Sequence, residues 1–262
     1  TGAAQKMKEF IYADNAATTR ISQMAFEAMV PYLTEYYGNA SALYRIGRDS
    51  HKAVEDARKQ IASLIHAGPM DIYFTSCGTE ADNWAVKGVA HKMKKDGKKH
   101  LITTVIEHHA ILHTCDFLKH MGYGITLLPV DKQGVVNPET LKKHIKDTTR
   151  LVSIMFANNE IGSIQPIKEL AEIAHQHGCL FHTDAVQCVG HIPIDVQALG
   201  IDMLSASAHK FNGPKGIGFL YVRDGVSIES FMHGGAQEKG KRAGTENVAG
   251  IIGMAEALRE HQ

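Results

Sequence analysis

The sequence has little cysteine for its length and no long apolar run. Four cysteines occur among 262 residues, and none of them forms a C-x-x-C pair, so we expect no disulfide framework. No apolar stretch approaches the roughly 18 residues that a membrane-spanning helix needs. The first residues, TGAAQKMKEF, lack the apolar core of a secretory signal. These absences predict a cytoplasmic protein with no membrane partner.

Charge of one sign is not in excess either. Lysine and arginine together number 28, aspartate and glutamate together also number 28, and the formal net charge is +0. Because nucleic-acid binding usually needs a basic surface, we expect no nucleic-acid partner. The composition is 44% hydrophobic and 21% charged, which is typical of a globular protein with a sizeable core.

Short apolar runs alternate with amphipathic stretches from Asp71 onward. The runs predict seven strands: DIYFT, HLITT, GITLLPV, LVSIMFA, CLFHTD, DMLSAS and GIGFLYV. Helices are predicted at 22–36, 50–65, 79–95, 110–121, 138–145 and 166–177. The alternation indicates an α/β fold, a mostly parallel central sheet with helices on both faces. We assign 1–10 to a tail that begins with a cloning remnant, and 11–262 to one large domain.

Polar clusters follow five of the predicted strands. They are TSCGTEADN (75–83), VIEHHA (105–110), FANNEIG (156–162), HTDAVQ (182–187) and SASAHKFNGPKG (205–216). In parallel α/β sheets, ligands bind at the carboxyl ends of the strands. We therefore expect these five clusters to line one pocket.

Two of the polar segments could contact an anion. Gly78 and Thr79 stand at the predicted start of a helix, where free N–H groups attract negative charge. Simple capping by Thr79 and Asp82 is the alternative. In RAGTEN (242–247), Thr245 is predicted either to cap the last helix or to offer a hydroxyl to an anion. TSCGTEADN has neither a P-loop nor a G-x-G-x-x-G pattern, which argues against nucleotide binding.

Asp184 and Lys210 are the most unusual charges. A carboxylate at the end of an apolar strand is costly unless a cation or donor meets it. Asp184 could pair with a protonated heterocyclic nitrogen or with a structural partner, and Gln187 could donate to the same ring. Lys210 could be a nucleophile if burial or His209 and Lys215 lower its pKa, or an ordinary surface charge.

The histidines of EHHAILH permit a metal site or a stacking role. His109 and His113 are four residues apart on a predicted helix, but no carboxylate or thiolate at zinc-like spacing joins them. We therefore predict no metal. His108 follows a predicted strand, and this position would allow its ring to stack on a flat cofactor.

Eight segments together resemble, in order, the pyridoxal-phosphate-dependent cysteine desulfurases, class-V aminotransferase relatives with fold type I. The segments are YADNAATT, GNASALYRIGR, FTSCGTEADN, EHHAIL, NNEIGSIQPI, HTDAVQ, SASAHKFNGPKGIG and HGGAQEKGKRAGTEN. The resemblance covers the chain from Tyr12 to about Glu256. Eight motifs in series are far more specific than any one of them.

The resemblance implies roles for ten residues. It makes Lys210 the lysine that binds pyridoxal 5'-phosphate covalently and moves the proton at the substrate's α-carbon. His108 would stack on the pyridine ring and act in acid–base steps, and Asp184 would bind the ring N–H. The other implied contacts are the phosphate ligands Gly78, Thr79, Ser207 and His209, the ring neighbours Asn159 and Gln187, and Thr245 from a neighbouring subunit.

The implied reaction converts L-cysteine to L-alanine and a persulfide for iron–sulfur cluster or thio-cofactor assembly. The resemblance also implies a homodimer and an iron–sulfur scaffold or other sulfur-acceptor protein as partner. The family's nucleophilic cysteine, substrate-binding arginine and most of its small domain lie downstream of residue 262. We therefore expect weak or no turnover by these 262 residues alone. The alternatives are an aminotransferase, selenocysteine lyase or kynureninase-like enzyme of the same group, or a non-catalytic binding fragment.

Overall fold

The computed structural model describes residues 11–93 and 97–261. The predicted tail over 1–10 lies outside these ranges. Seven strands are present in the described part: β1 (Ile72–Thr75), β2 (His100–Thr104), β3 (Gly124–Leu128), β4 (Thr149–Ser153), β5 (Leu180–Asp184), β6 (Met203–Ser207) and β7 (Gly218–Val222). The helices are α1 (Gln23–Thr34), α2 (Arg45–Leu64), α3 (Gly78–Met93), α4 (His109–His120), α5 (Pro138–His144), α6 (Ile167–Gln176) and α7 (Val248–Glu260).

The strands form one sheet in the order β1-β7-β6-β5-β4-β2-β3. The pairs from β6 through β5, β4 and β2 to β3 are parallel. Only β7 runs against its neighbours, β1 and β6. The predicted mostly parallel sheet is confirmed, and the carboxyl ends of β2, β4, β5 and β6 lie at one edge.

Helices cover both faces of the sheet. One buried cluster joins Ile61 of α2, Leu170 of α6 and Met254 of α7 to the sheet. The other joins Trp84 of α3 and Leu118 of α4 to the opposite face. Each such side chain contributes about 1.5–3 kcal/mol on burial. The strands read as continuous apolar runs because both faces are covered.

Local sequence signals explain where several helices begin and end. Asn137 caps α5, accepting a hydrogen bond from the Glu139 N–H at 2.9 Å, and Pro138 occupies the first turn. Gly178 follows α6 with a φ of +68°, the conformation typical of a glycine that terminates a helix. The predicted start of α2 at residue 50 is wrong. Ser50 is buried and donates to the Ile46 carbonyl from inside the helix, so it does not cap.

A buried ion pair clamps the loop before α7 to the sheet. The Arg58 guanidinium donates to both carboxylate oxygens of Glu238, at 2.9 and 2.8 Å. Glu238 also accepts the Phe74 N–H of β1 at 2.8 Å, and Arg58 donates to the Ile72 carbonyl. Each charged group in this cluster therefore contacts a group of opposite charge or a backbone dipole.

Within 11–93 and 97–261, none of the helices combines the length and apolar character that crossing a bilayer requires.

Candidate active site

A cavity of about 660 Å³ opens at the carboxyl ends of the parallel strands. Nine of the ten predicted site residues line it: Gly78, Thr79, His108, Asn159, Asp184, Gln187, Ser207, His209 and Lys210. They come from the start of α3, from the ends of β5 and β6, and from the connections that follow β2, β4, β5 and β6. The topology therefore brings together the five clusters that the sequence analysis singled out.

Lys210 ends a short 3₁₀ turn, Ala208–Lys210, directly after β6. Its amine is half-buried and donates to the backbone carbonyls of Ala16 and Ala17, the latter at 2.9 Å. Burial lowers the pKa of Lys210, although Asp184 and Asp14 partly oppose that shift. A lowered pKa increases the fraction of neutral amine, which is the nucleophilic form.

An N-terminal strap, residues 14–19, forms one wall of the cavity. Thr19 binds the His209 carbonyl through its N–H at 2.8 Å and through its hydroxyl at 2.9 Å. The Thr18 hydroxyl is 2.9 Å from Nδ1 of His209. Gln187 donates to the Ala16 carbonyl at 3.1 Å. The strap thus holds both the predicted phosphate ligand His209 and the resting position of Lys210.

Asp184 is buried at the end of β5, where its Oδ1 accepts the Val186 N–H at 3.0 Å. Burial raises its pKa, while that hydrogen bond and the neighbouring basic groups of His108 and Lys210 act in the opposite direction. A carboxyl in this position is suited to a cationic N–H group that enters the cavity.

The N-terminus of α3 faces the same cavity. A Cβ at Gly78 would lie 2.6 Å from Val186 Cγ2 and 3.3 Å from Ser207 Cβ, so glycine is needed for the helix to start this close to β6. The alternative that Thr79 and Asp82 cap this helix does not fit the structure. The helix begins at Gly78, and the Glu80 carboxylate accepts the Ser76 N–H at 2.8 Å.

His108 precedes α4 and caps it. Its Nδ1 accepts the Ala110 N–H at 3.1 Å, so the neutral ring carries its proton on Nε2. The cap holds the ring at the cavity lining. His109 and His113 are exposed on α4, with ring centroids 5.0 Å apart.

Thr245 is the predicted residue that does not line this cavity. It is exposed on the loop before α7 and lines a separate pocket of about 110 Å³ with Ser76 and Arg242. The predicted capping role of Thr245 is wrong, because Asn247 caps α7 by accepting the Gly250 N–H at 3.0 Å. Arg242 binds Glu80 through two hydrogen bonds, at 2.7 and 3.1 Å.

Three of the four cysteines are buried, and one is at the cavity. Burial raises the pKa of both Cys115 and Cys188 to about 12 and also raises that of Cys179. Cys77 is half-buried and lines the cavity. It sits in the turn between β1 and α3, where only part of its side chain is covered.

Sequence reasoning missed two features of the site. Asp82 was interpreted as a helix cap, yet it is buried and lines the cavity. Its position four residues after Gly78, one helical turn along, is the signal that could have placed it on the cavity side. The backbone carbonyls of Ala16 and Ala17 carry no side-chain signal, so their contact with Lys210 is visible only in the fold.

The profile of the family described as aminotransferase class-V matches residues 11–261 of the chain. The chain is 56% identical to a protein of Methanosarcina thermophila named cysteine desulfurase IscS, covering 94% of this chain and 61% of that protein. It is 54% identical to a protein of the same name from Dictyoglomus turgidum, covering 96% and 64%.

Solved structures agree with these sequence matches. A NifS-like protein superposes with a TM-score of 0.93 at 44% identity, covering 95% of this chain and 68% of that one. A structure described as SspA in complex with cysteine gives a TM-score of 0.92 at 39% identity, covering 95% and 72%. The fold and the family resemblance inferred from the eight motifs are therefore confirmed.

Proposed function

Because the chain belongs to the class-V aminotransferase family, we propose that it binds pyridoxal 5'-phosphate in this cavity and serves the removal of sulfur from L-cysteine. The chain spans 61% and 64% of the two curated relatives, so the proposal concerns the cofactor-binding part of a cysteine desulfurase. One observation carries it: the Lys210 amine, the Asp184 carboxyl and the N-terminus of α3 line a single cavity.

The chemistry of these groups fits pyridoxal phosphate. The start of α3 at Gly78 and Thr79, with Ser207 and His209, would hold the phosphate through N–H and hydroxyl donors. Asp184 would hold the ring nitrogen, and its cost of burial would fall once a cation faces it. Asn159 and Gln187 would flank the ring, with His108 stacked on its face.

Bound pyridoxal phosphate supplies an electron sink for the charge left when the substrate's α-carbon loses a proton. Lys210 would attach the cofactor and then carry that proton, since its pKa is lowered by burial. The carbonyls of Ala16 and Ala17 would hold the amine when it is free. Asp184 would keep the ring nitrogen protonated, and loss of its charge in Asp184→Ala should nearly abolish exchange of the α-proton.

L-cysteine is the proposed substrate because the curated relatives are named cysteine desulfurases and one similar structure holds cysteine. The sulfur needs an acceptor thiolate, and the raised pKa of Cys115, Cys179 and Cys188 disfavours that role. We propose that the acceptor lies in a further part of the enzyme, from which sulfur passes to iron–sulfur cluster or thio-cofactor assembly. The names of the relatives favour this over transamination or kynureninase-like cleavage.

A homodimer would account for the position of Thr245. Leu43 and Tyr37 are 89% and 73% exposed, and Leu43 shares a pocket of about 560 Å³ with Gln237 and Glu246 beside Thr245. Such exposed apolar side chains commonly mark an interface. We propose that a second copy covers this face and receives Thr245 at its phosphate.

Borohydride trapping tests cofactor binding at Lys210. The protein is incubated with pyridoxal phosphate and reduced, and its peptides are analysed by mass spectrometry. We expect one modified lysine, Lys210, and no stable visible absorbance from bound cofactor in Lys210→Ala. Lys215→Ala, which removes an exposed lysine five residues away, is the matched control and should be labelled like the parent. Labelling of Lys215 or random lysines in place of Lys210 would contradict the proposal.

A further inference from the structure

A second carboxyl group, that of Asp82, lies behind Asp184. Asp82 is on the second turn of α3, is only 1% exposed and lines the same cavity. Its side chain is within hydrogen-bonding reach of the Asp184 carboxyl. Two buried carboxyl groups therefore meet beneath the place proposed for the cofactor ring.

The surrounding groups do not give Asp82 a cation. The nearest base is His182, whose Nε2 is 3.8 Å from Asp82 Oδ1. Both ring nitrogens of His182 are already engaged, with Ser153 Oγ at 2.8 Å and Ser205 Oγ at 3.0 Å. Burial lowers the pKa of His182 to about 3, so the ring is neutral. Within the described residues, Oδ1 of Asp82 has no hydrogen-bond partner.

Two such carboxyl groups cannot both be ionised at little cost, so they share a proton. Burial raises the pKa of Asp82 well above its usual range, and the negative charge of Asp184 adds to this shift, whereas a hydrogen bond from Ser205 opposes it. Asp184 is the stronger acid of the two, because the Val186 N–H and the neighbouring basic groups of His108 and Lys210 stabilise its carboxylate. The proton therefore belongs on Asp82.

We propose that Asp82 is a positioning residue that keeps this proton and donates it in a hydrogen bond to Asp184. The pair then presents a single negative charge to the ring nitrogen, with the Asp184 carboxylate held in one orientation. No bond other than this hydrogen bond is made or broken, and the pair's net charge stays at minus one. The role of Asp82 toward the cofactor rests on the proposed function, whereas the location of the proton does not.

Neutron diffraction of the cofactor-free protein, exchanged into deuterated buffer at neutral pH, tests the location directly. We expect a deuteron on Asp82, shared with Asp184, and none on the ring nitrogen of His182 beyond the one that a neutral imidazole carries. A deuteron bonded to Asp184, or two bare carboxylates, would overturn the inference. This result does not depend on whether the cavity binds pyridoxal phosphate.

Two variants test the role of the hydrogen bond. Asp82→Asn keeps a donor toward Asp184, and Asp82→Leu removes it at similar volume. We expect the Leu variant to bind pyridoxal phosphate about 10- to 100-fold more weakly, as expected for a lost hydrogen bond to a charged group, and the Asn variant to bind like the parent. Equilibrium titration of cofactor-free protein, with circular dichroism to verify folding, gives both affinities.

Glu107→Gln is the matched control, because Glu107 is another buried acid with a raised pKa but binds Thr104 and the Met155 N–H. Its cofactor affinity should equal that of the parent. Equal affinities for Asp82→Asn and Asp82→Leu, whether both strong or both weak, would overturn the positioning role. A parent protein that binds no pyridoxal phosphate would instead overturn the proposed function, and the neutron map would still decide where the proton lies.

Discussion

Two buried charge clusters in this molecule are built in opposite ways. Arg58 and Glu238 have opposite charges, bind each other at two points and satisfy backbone groups of β1. Asp82 and Asp184 are two acids that, on our proposal, share one negative charge, and they face a cavity and leave one oxygen without a partner among the described residues. Since uncompensated buried charge is costly, the second cluster is unfavourable in the ligand-free chain. The comparison distinguishes buried charges that stabilise the fold from buried charges that are proposed to bind a ligand.

The largest expected effect comes from breaking the satisfied cluster. Arg58→Met leaves Glu238 buried without its cation, and we expect a loss of about 3–5 kcal/mol in the free energy of unfolding. Urea denaturation followed by circular dichroism measures it. The double variant Arg58→Met/Glu238→Gln removes both charges and should recover a large part of the loss. Equal stabilities of the single and double variants would contradict the assignment of this pair as a structural clamp.

A smaller effect is expected from pH, through a buried acid that lies outside both clusters. Burial raises the pKa of Glu107, a neighbour of Asp82, to about 8, whereas the unfolded chain has its ordinary value near 4.3. The folded state then holds a proton that the unfolded state has lost. This stabilisation is complete below the unfolded pKa and disappears as pH rises through the folded pKa.

As pH rises from 6 to 7, the raised pKa of Glu107 should therefore decrease the free energy of unfolding of the cofactor-free protein by about 1 kcal/mol. Glu107→Gln has no such proton, so its unfolding free energy should fall less over the same interval. Urea midpoints at the two pH values, compared between parent and variant, give the difference. An identical pH dependence of the two proteins would show that Glu107 titrates normally in the fold.

The smallest effect concerns a charge pair that belongs to neither cluster. Lys52 and Asp56 lie 2.7 Å apart on the exposed face of α2, where water and salt screen their attraction. Lys52→Ala should leave the urea midpoint unchanged within error, in contrast to Arg58→Met on the same helix. A clear destabilisation by Lys52→Ala would show that position on the helix, and not burial of the pair, sets the cost.

Most of the fold could be predicted from apolar runs, because buried parallel strands have a simple pattern. The runs HLITT and CLFHTD contain β2 and β5, each correct to within one residue. LVSIMFA was less exact, since β4 is Thr149–Ser153, although the N–H groups of Ile154 and Phe156 still donate to carbonyls of β5. The start of α2 was missed because Ser50 looks like a cap but is an interior residue.

The sequence predicted the site only where the type of a residue indicates its chemistry. Nine of the predicted residues lie at one cavity because strand ends converge, which follows from topology alone. Their individual roles stay predictions. Asp82 was misinterpreted because a carboxylate near a helix start usually caps it, and only the fold reveals that Glu80 takes the free N–H of Ser76. The strap contacts residues that lie far away along the chain, and no local sequence pattern predicts such contacts.

The strap also affects the order in which the cavity assembles during translation. Thr18 and Thr19 bind His209, which lies 191 and 190 residues further along the chain. The strap is therefore synthesised well before the residue that it binds. At ordinary rates of translation, about 5–20 residues per second, the delay is about 10–40 s. During that interval the strap has no docking site, and the cavity closes only when the segment after β6 emerges. The pocket can therefore assemble only after the segment that follows β6 has been synthesised.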